Sequence, residues 1–317
     1  MHALLCCSNI INWFPGHMYK ATREIKEKLA LADVIIEVRD ARIPFTSQAY
    51  TQVIPSSIPR IILLNKADLS DPTGLTKAMT RIASSHPHVL PFSCSSNNIK
   101  ANNDNVSSLL DTLASVPVRK RWKSLPTKVI VVGIPNVGKS SFINWLQRYC
   151  RNQWKDTPPP VEHTVDDGGI AKVGKQPGVT RTIQGFVVAH QPYIYMLDSP
   201  GVLYPRIQSW ESGMKLLVTG CIRDHSVDES VAACQFLLTK LKENNNLDAL
   251  SRLGIDRTEW NSFPREMMQK VAHRIGALQH SPQKEDLFRT SIYILKKYRQ
   301  GSLGRFLLDE MKEGRDG

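Results

Sequence analysis

Val129-Ile130-Val131-Val132-Gly133-Ile134-Pro135-Asn136-Val137-Gly138-Lys139-Ser140 is a β-branched apolar run that stops at a glycine and ends in G-x-x-x-x-G-K-S. A helix-compatible segment, Ser141 to Tyr149, follows it. Strand, glycine loop, helix is the context a phosphate-binding loop requires. The glycines let backbone N–H groups turn inward, and the helix N-terminus adds a favourable dipole for an anion. Asn136, Val137, Gly138, Lys139, Ser140 and Ser141 are therefore the expected phosphate contacts. Lys139 is expected to neutralise β- and γ-phosphates, and Ser140 to ligate Mg²⁺.

Upstream, Asn65-Lys66-Ala67-Asp68 follows a second apolar run, Ile61-Ile62-Leu63-Leu64. A carboxylate at Asp68 accepts from the N1–H and exocyclic amine of guanine, and adenine offers no matching donors. Such polar mismatches discriminate by roughly 10⁴ or more. Asn65 is expected at the base edge, with the Lys66 stem over the ring. Ser93-Cys94-Ser95, after a third run (Val89-Leu90-Pro91-Phe92), is placed to offer a backbone N–H to the guanine carbonyl. Downstream, Asp198-Ser199-Pro200-Gly201 follows 193–197. It reads as a plain β-turn or as a γ-phosphate sensor, with Asp198 holding Mg²⁺ through water and the Gly201 N–H on the phosphate. Its company favours the sensor. Thr180, in Pro177-Gly178-Val179-Thr180-Arg181, is the candidate second Mg²⁺ ligand on a loop ordered by GTP.

Around these motifs the chain alternates short buried-type strands with helical segments. Strands are expected at 34–38, 61–64, 89–92, 129–132, 183–189 and 193–197, and helices at 20–31, 73–84 and 105–115. That alternation implies an α/β fold, a parallel-rich sheet with helices on both faces. The Pro- and Gly-rich stretch 151–179 reads as a long loop, and from 211 onward the pattern is wholly helical. Leu287, Phe288, Ile292, Leu295 and Tyr298 fit one helical stripe, ending near Gly301. The expected organisation is a nucleotide-binding domain over 1–205, including the segment 10–32, and a small all-α domain over 206–317.

Lys and Arg number 41 against 29 Asp and Glu. Residues 1–205 carry 23 basic and 14 acidic side chains, and 206–317 carry 18 and 15. The surplus suits an anionic partner such as RNA, or simply a solvated basic surface. The cluster Arg119, Lys120, Arg121, Lys123 around Trp122 has the same two readings. None of the six cysteines forms a CxxC pair, and they read as reduced thiols. No run of 18 apolar residues suggests a transmembrane helix. The first 16 residues lack Lys and Arg, a poor signal peptide and at best a truncated transit peptide.

The five nucleotide motifs resemble those of Ras-like GTPases in altered order, with the guanine motifs at 65–68 and 93–95 preceding the phosphate loop, the Thr180 loop and D-x-x-G. That order is similar to the circularly permuted GTPases, and within them to the ribosome-biogenesis GTPase A (YlqF) family, on its eukaryotic mitochondrial branch. Trp13-Phe14-Pro15-Gly16-His17-Met18, Asp40-Ala41-Arg42-Ile43-Pro44, the three nucleotide motifs and Tyr298 to Arg305 carry the resemblance. It implies a circularly permuted P-loop G domain followed by a helical RNA- or ribosome-contacting domain. It implies a GTPase that is stimulated by ribosomes, depends on potassium and assists assembly of the large ribosomal subunit. Val202 stands where Ras-like enzymes carry a water-orienting Gln. The resemblance implies two substitutes, a potassium ion with Asn136 as ligand, and His17 as the residue that orients or deprotonates water. Lys139 and Gly201 complete the expected catalytic set. His17 also reads as a packing or RNA-contact histidine, and Asn136 as a loop-capping amide. Arg299 and Arg305 are expected on rRNA phosphates, with helix capping as the alternative. A monomer in the mitochondrial matrix, peripheral to the inner membrane, is expected, with the cytoplasm as the other compartment. A GTP-gated RNA-binding scaffold with negligible turnover is the competing function.

Overall fold

The computed structural model describes residues 29, 32–49, 54–94, 99–115, 126–153, 184–190, 193–201, 207, 209–222, 226–278 and 285–310. The basic cluster at 119–123 and most of the expected loop at 151–179 lie outside them, as does the segment 20–31 apart from Leu29. Among the described residues no helix is long and apolar enough to cross a membrane.

The described residues up to 201 form one compact unit. Its strands are β1 (Val34–Asp40), β2 (Arg60–Asn65), β3 (His88–Pro91), β4 (Thr127–Val132), β5 (Gln184–His190) and β6 (Tyr193–Asp198). They lie in the order β3-β2-β1-β4-β6-β5. Every neighbouring pair is parallel except β5 with β6, a hairpin that closes the edge antiparallel. β1 and β4 pair directly, Val34 opposite Val129 and Glu37 opposite Val132, although 86 residues of chain separate their ends. Covered on both faces, such strands read as continuous Val/Ile/Leu runs. Val129, Ile130 and Val131 are fully buried accordingly. Burying each such side chain contributes roughly 1.5–3 kcal/mol.

Helix α1 (Pro72–Ala83) starts because Asp71 accepts the Gly74 N–H at 2.6 Å and Pro72 fits the first turn. Leu75, Ala78 and Ile82 form its buried stripe. Helix α2 (Ile99–Ser115) begins six residues before the predicted 105. Its polar Asn-rich first half obscures the start, whereas Val106, Leu109 and Leu113 show the buried face. Helix α3 (Lys139–Gln153) runs three residues into the stretch predicted as loop. No Gly or Pro interrupts it before Pro158, and Arg151 in the last turn complements the helix dipole.

The second unit, Ile207–Glu310, is helical. It contains α4 (Trp210–Thr219), α5 (Val227–Glu243), α6 (Leu247–Arg252), α7 (Pro264–Ile275) and α8 (Leu287–Arg299). Ser226 and Glu229 form a capping box that starts α5. The apolar stripe expected from the sequence lies on α8, but it is not the buried face. Phe288 and Ile292 are each 41% exposed, and the buried face is Thr290, Ser291, Ile294, Leu295 and Tyr298. Small hydroxyl side chains line it because neighbouring helices approach closely. Each hydroxyl is satisfied inside the helix, Thr290 Oγ1 on the Asp286 carbonyl at 2.8 Å and Ser291 Oγ on that of Phe288 at 2.7 Å.

Phe92, just after β3, is 1% exposed and makes edge-to-face contacts with Phe142 and Trp145 of α3 at centroid distances of 5.3 and 5.0 Å. Its backbone also bonds Leu64 and Ala67. Phe92→Ala is expected to cost about 3–5 kcal/mol, read as a lower midpoint in urea unfolding.

Candidate functional site

The parallel strands deliver the motifs to one edge. Asp40 and Asn65 end β1 and β2 in register, Ser93 lies just past β3, Gly133 follows β4, and Asp198 ends β6 beside Val131. That carboxyl edge, at the point where strand order reverses, is where open α/β sheets bind ligands.

On the phosphate side, Gly133 to Gly138 turns from β4 into α3. Gly138 adopts φ +97°, and a Cβ there would strike the Asn65 amide nitrogen. Lys139 is 7% exposed, and its Nζ donates to the carbonyls of Gly133 (3.2 Å) and Ile134 (3.0 Å). Ser140 Oγ donates to Asp198 Oδ2 at 2.6 Å. Ser141 follows on the first turn of α3, half-buried. The D-x-x-G turn is tied back by Ser199 Oγ, which donates to the Val131 carbonyl at 2.6 Å. Gly201 lies so close to the phosphate loop that a Cβ would stand 2.6 Å from both N and Cα of Pro135.

The guanine-motif side meets the phosphate loop through two residues, Asn65 and Lys66. Asn65 Nδ2 donates to the Val137 carbonyl at 2.7 Å, and its Oδ1 accepts from Cys94 Sγ at 3.5 Å. The amide expected at the base edge thus ties the two loops together. Lys66 is left-handed, φ 62°, and its Nζ donates to Asp40 Oδ2 (2.9 Å) and to the Asn136 carbonyl (2.8 Å). Asn136 is left-handed too, φ 57°. Asp68 accepts from Ser93 Oγ at 2.5 Å, so Ser93 orients the carboxylate through its side chain. Burial pushes the Cys94 thiol up to about 12, which makes it a packing group rather than a nucleophile.

Asp40 and Arg42 were quoted above only for resemblance, yet they belong to the site. Arg42 forks onto the Asp40 carboxylate, Nε to Oδ1 at 2.9 Å and Nη2 to Oδ2 at 2.7 Å. Asp40 is fully buried and Arg42 is 1% exposed. Burial pushes the Asp40 pKa up, but the charges and hydrogen bonds of Arg42 and Lys66 outweigh it and hold the carboxyl well below the ordinary range. The available signal was β1 itself. A strand covered on both faces that carries Glu37, Arg39 and Asp40 must bury charge, and buried charge must be paired. Glu37 is paired likewise, with Arg39 at 2.7 Å and Arg60 at 3.2 Å.

His17, Ser95, Thr180 and Val202 lie outside the described residues. Of the two tail arginines, Arg299 caps α4, with Nε on the Val218 carbonyl at 3.0 Å and Nη2 on that of Leu217 at 2.7 Å. Its expected RNA contact is therefore replaced by the capping role, and Arg305 is the exposed member of the pair.

The donor set suits magnesium. Asp198 Oδ1 is buried without a hydrogen-bond partner, on the carboxylate whose other oxygen accepts from the Ser140 hydroxyl. Mg²⁺ is ordinarily held by one or two protein oxygens together with substrate phosphates. Burial raises the Asp198 pKa, against the lowering effects of the Ser140 hydrogen bond and the Lys139 charge.

Glycine loop, buried lysine, Ser–Asp pair and carboxylate-bearing Asn-Lys-x-Asp turn together define a P-loop guanine-nucleotide protein whose motifs follow a permuted order along the chain. Residues 128–249 match the family model described as 50S ribosome-binding GTPase. The chain is 32% identical over 313 residues to Mitochondrial ribosome-associated GTPase 1 of Mus musculus, covering 95% of this chain and 90% of that one. It is 42% identical over 229 residues to "Short integuments 2, mitochondrial" of Arabidopsis thaliana, covering 72% of this chain and 55% of that protein's length. GNP-bound YlqF from T. maritima shares the fold, with a TM-score of 0.59 at 24% identity over 93% of this chain and all of that one. The chain belongs to the ribosome-biogenesis GTPase A (YlqF) family of circularly permuted GTPases.

The Asp198 pKa is raised on folding, so in the nucleotide-free protein this residue costs stability once pH rises above the ordinary carboxylate value. Asp40 works in the opposite sense, stabilising above that value and losing its contribution in acid. Asp198→Asn is therefore expected to raise the melting temperature of the nucleotide-free protein at pH 7 while abolishing the Mg²⁺-dependent part of nucleotide binding. Differential scanning fluorimetry and nucleotide titration with and without Mg²⁺ check both halves.

Proposed function

We propose that the chain binds GTP with Mg²⁺ at this carboxyl edge, hydrolyses it, and uses the cycle to assist assembly of the large ribosomal subunit in mitochondria. The observation that carries the reading is the Ser140–Asp198 pair, in which the second Asp198 oxygen is buried without a hydrogen-bond partner beside a lysine-bearing phosphate loop. The names of the mouse relative and of the matched family supply the ribosome and its large subunit. The two mitochondrial relatives supply the compartment. Within it we place a monomer in the matrix, peripheral to the inner membrane.

In this reading Asp68, oriented by Ser93, accepts from guanine, and the Ser93-Cys94-Ser95 backbone meets its carbonyl. Lys139 leaves its loop carbonyls for the β- and γ-phosphates. Ser140, Thr180 and Asp198 hold Mg²⁺, which when bound screens phosphate charge. Gly201 N–H senses the γ-phosphate. Val202 has no group to orient water, so His17 takes that role, and Asn136 holds a potassium ion. With five residues between, the helical unit begins at Ile207 after Gly201. A displacement at the sensor is therefore passed along a short covalent tether, so that GTP favours an arrangement that docks on the ribosomal particle and hydrolysis releases it. The helical unit contacts RNA through exposed basic side chains such as Arg305.

The test is GTP hydrolysis with and without large subunits, in potassium and in sodium. The expected result is strong stimulation by subunits in potassium only, lost in His17→Ala. A flat, negligible rate in all four conditions would turn the reading into the GTP-gated RNA-binding scaffold.

Gly201→Ala forces the added Cβ against Pro135 backbone at 2.6 Å. Overpacking of that kind costs about 1–3 kcal/mol. The expected loss in GTP affinity is about tenfold or more, with GDP affinity nearly unchanged. Fluorescent-nucleotide titration separates the two.

A further inference from the structure

We infer that the buried Asp40–Arg42 pair is a positioning element for nucleotide binding, which acts through Lys66 by holding its ammonium on the Asn136 carbonyl. The inference rests on the nucleotide-site reading above and adds to it residues that touch no nucleotide.

Three observations carry it. The first is the chain of bonds. Arg42 takes both oxygens of Asp40, Lys66 Nζ takes a second lone pair on Oδ2, and the same Nζ continues to Asn136 O. The second is backbone conformation. Lys66 and Asn136, at the two ends of the last bond, are both left-handed. For lysine that conformation is strained and persists where surrounding contacts enforce it, whereas asparagine adopts it readily. Lys66 also leads into the short turn Ala67–Leu69 that carries Asp68. Whatever fixes Lys66 fixes both the base-reading carboxylate and the phosphate loop. The third is burial. Asp40 and Arg42 are 0% and 1% exposed. Apolar residues of similar volume often stabilise a buried position as well as an ion pair does, so a gain in stability alone is a weak reason for this pair. Arg42 keeps the carboxylate ionised, and an ionised carboxylate is what Lys66 requires as its counter-charge.

A double-mutant cycle on GDP affinity tests this, with the wild type, Asp40→Asn, Lys66→Met and the double variant titrated well below their own melting temperatures. Each single change is expected to weaken GDP binding about tenfold, and the double variant no more than Lys66→Met alone, because coupled neighbours are non-additive. A merely structural Asp40 would lower the melting temperature and leave the affinity of the folded protein unchanged. That result, or a double variant weakened by about the product of the single effects, would overturn the inference. If Asp40→Asn leaves Arg42 stranded and the chain unfolded, Asp40→Asn with Arg42→Met removes both buried charges and enters the same cycle. A wild type that binds no guanine nucleotide would overturn the site reading itself. A binding wild type with multiplicative variants overturns this inference alone.

Discussion

Two side chains fix the geometry of the whole site. Asn65 and Lys66, adjacent at the end of β2, each donate to a phosphate-loop carbonyl, Val137 at 2.7 Å and Asn136 at 2.8 Å. About 70 residues of chain lie between the partners. No local turn brings them together, and the sheet does so by placing β1 between β2 and β4. Each bond satisfies a carbonyl of the phosphate loop, so a shift of either segment would leave polar groups of both without these partners. The Asn-Lys-x-Asp turn and the phosphate loop are therefore one hydrogen-bonded unit built from two distant segments. The Asp40 carboxylate stands behind Lys66 as its fixed counter-charge.

The phosphate loop, the Asn-Lys-x-Asp turn and D-x-x-G were legible in the sequence because each is a local pattern with its own mechanical reason, a glycine turn after an apolar strand. The strands were legible for a similar reason. Burial on both faces leaves a continuous apolar run, and 129–132 and 61–64 can hardly be anything else. What lay hidden depended on pairing across distance. Asn65 reads as a base contact, and nothing local announces its bond to the Val137 carbonyl. Asp40 and Arg42 carry a family resemblance, and their pairing emerges only when β1 is seen to be enclosed. Ser199 reads as a turn residue until its hydroxyl is found on Val131 O.

The helical unit shows the limit of periodicity. Phe288 and Ile292 lie four apart, as a buried stripe should, yet the core takes Thr290 and Ser291 in their place. Amphipathic spacing marks a face without saying which face is covered. Close helix approach selects small side chains, and hydroxyls that bond their own helix cost little to bury. The large hydrophobic residues that are exposed among the described residues, Phe263 at 73% foremost, all belong to this unit. Arg299 illustrates the converse. A cation in the last turn of one helix invites an external anion, but here it closes the final carbonyls of another helix, a need as strong as that of any ligand.

Permutation leaves this chemistry intact because each motif belongs to a strand end. The functional groups lie at the carboxyl ends of β1, β2, β3, β4 and β6, and parallel pairing brings those ends to one edge whatever the order in which the chain visits them. What changes is the connection out of the site. In this order the D-x-x-G turn comes last, and the next described structure after Gly201 is the start of the helical unit. Gly201 is already in contact with Pro135 of the phosphate loop, so its position cannot vary independently of that loop. On the function proposed here, a change in the ligand at Gly201 is relayed along the chain that leaves it, and in this order that chain leads to the helices.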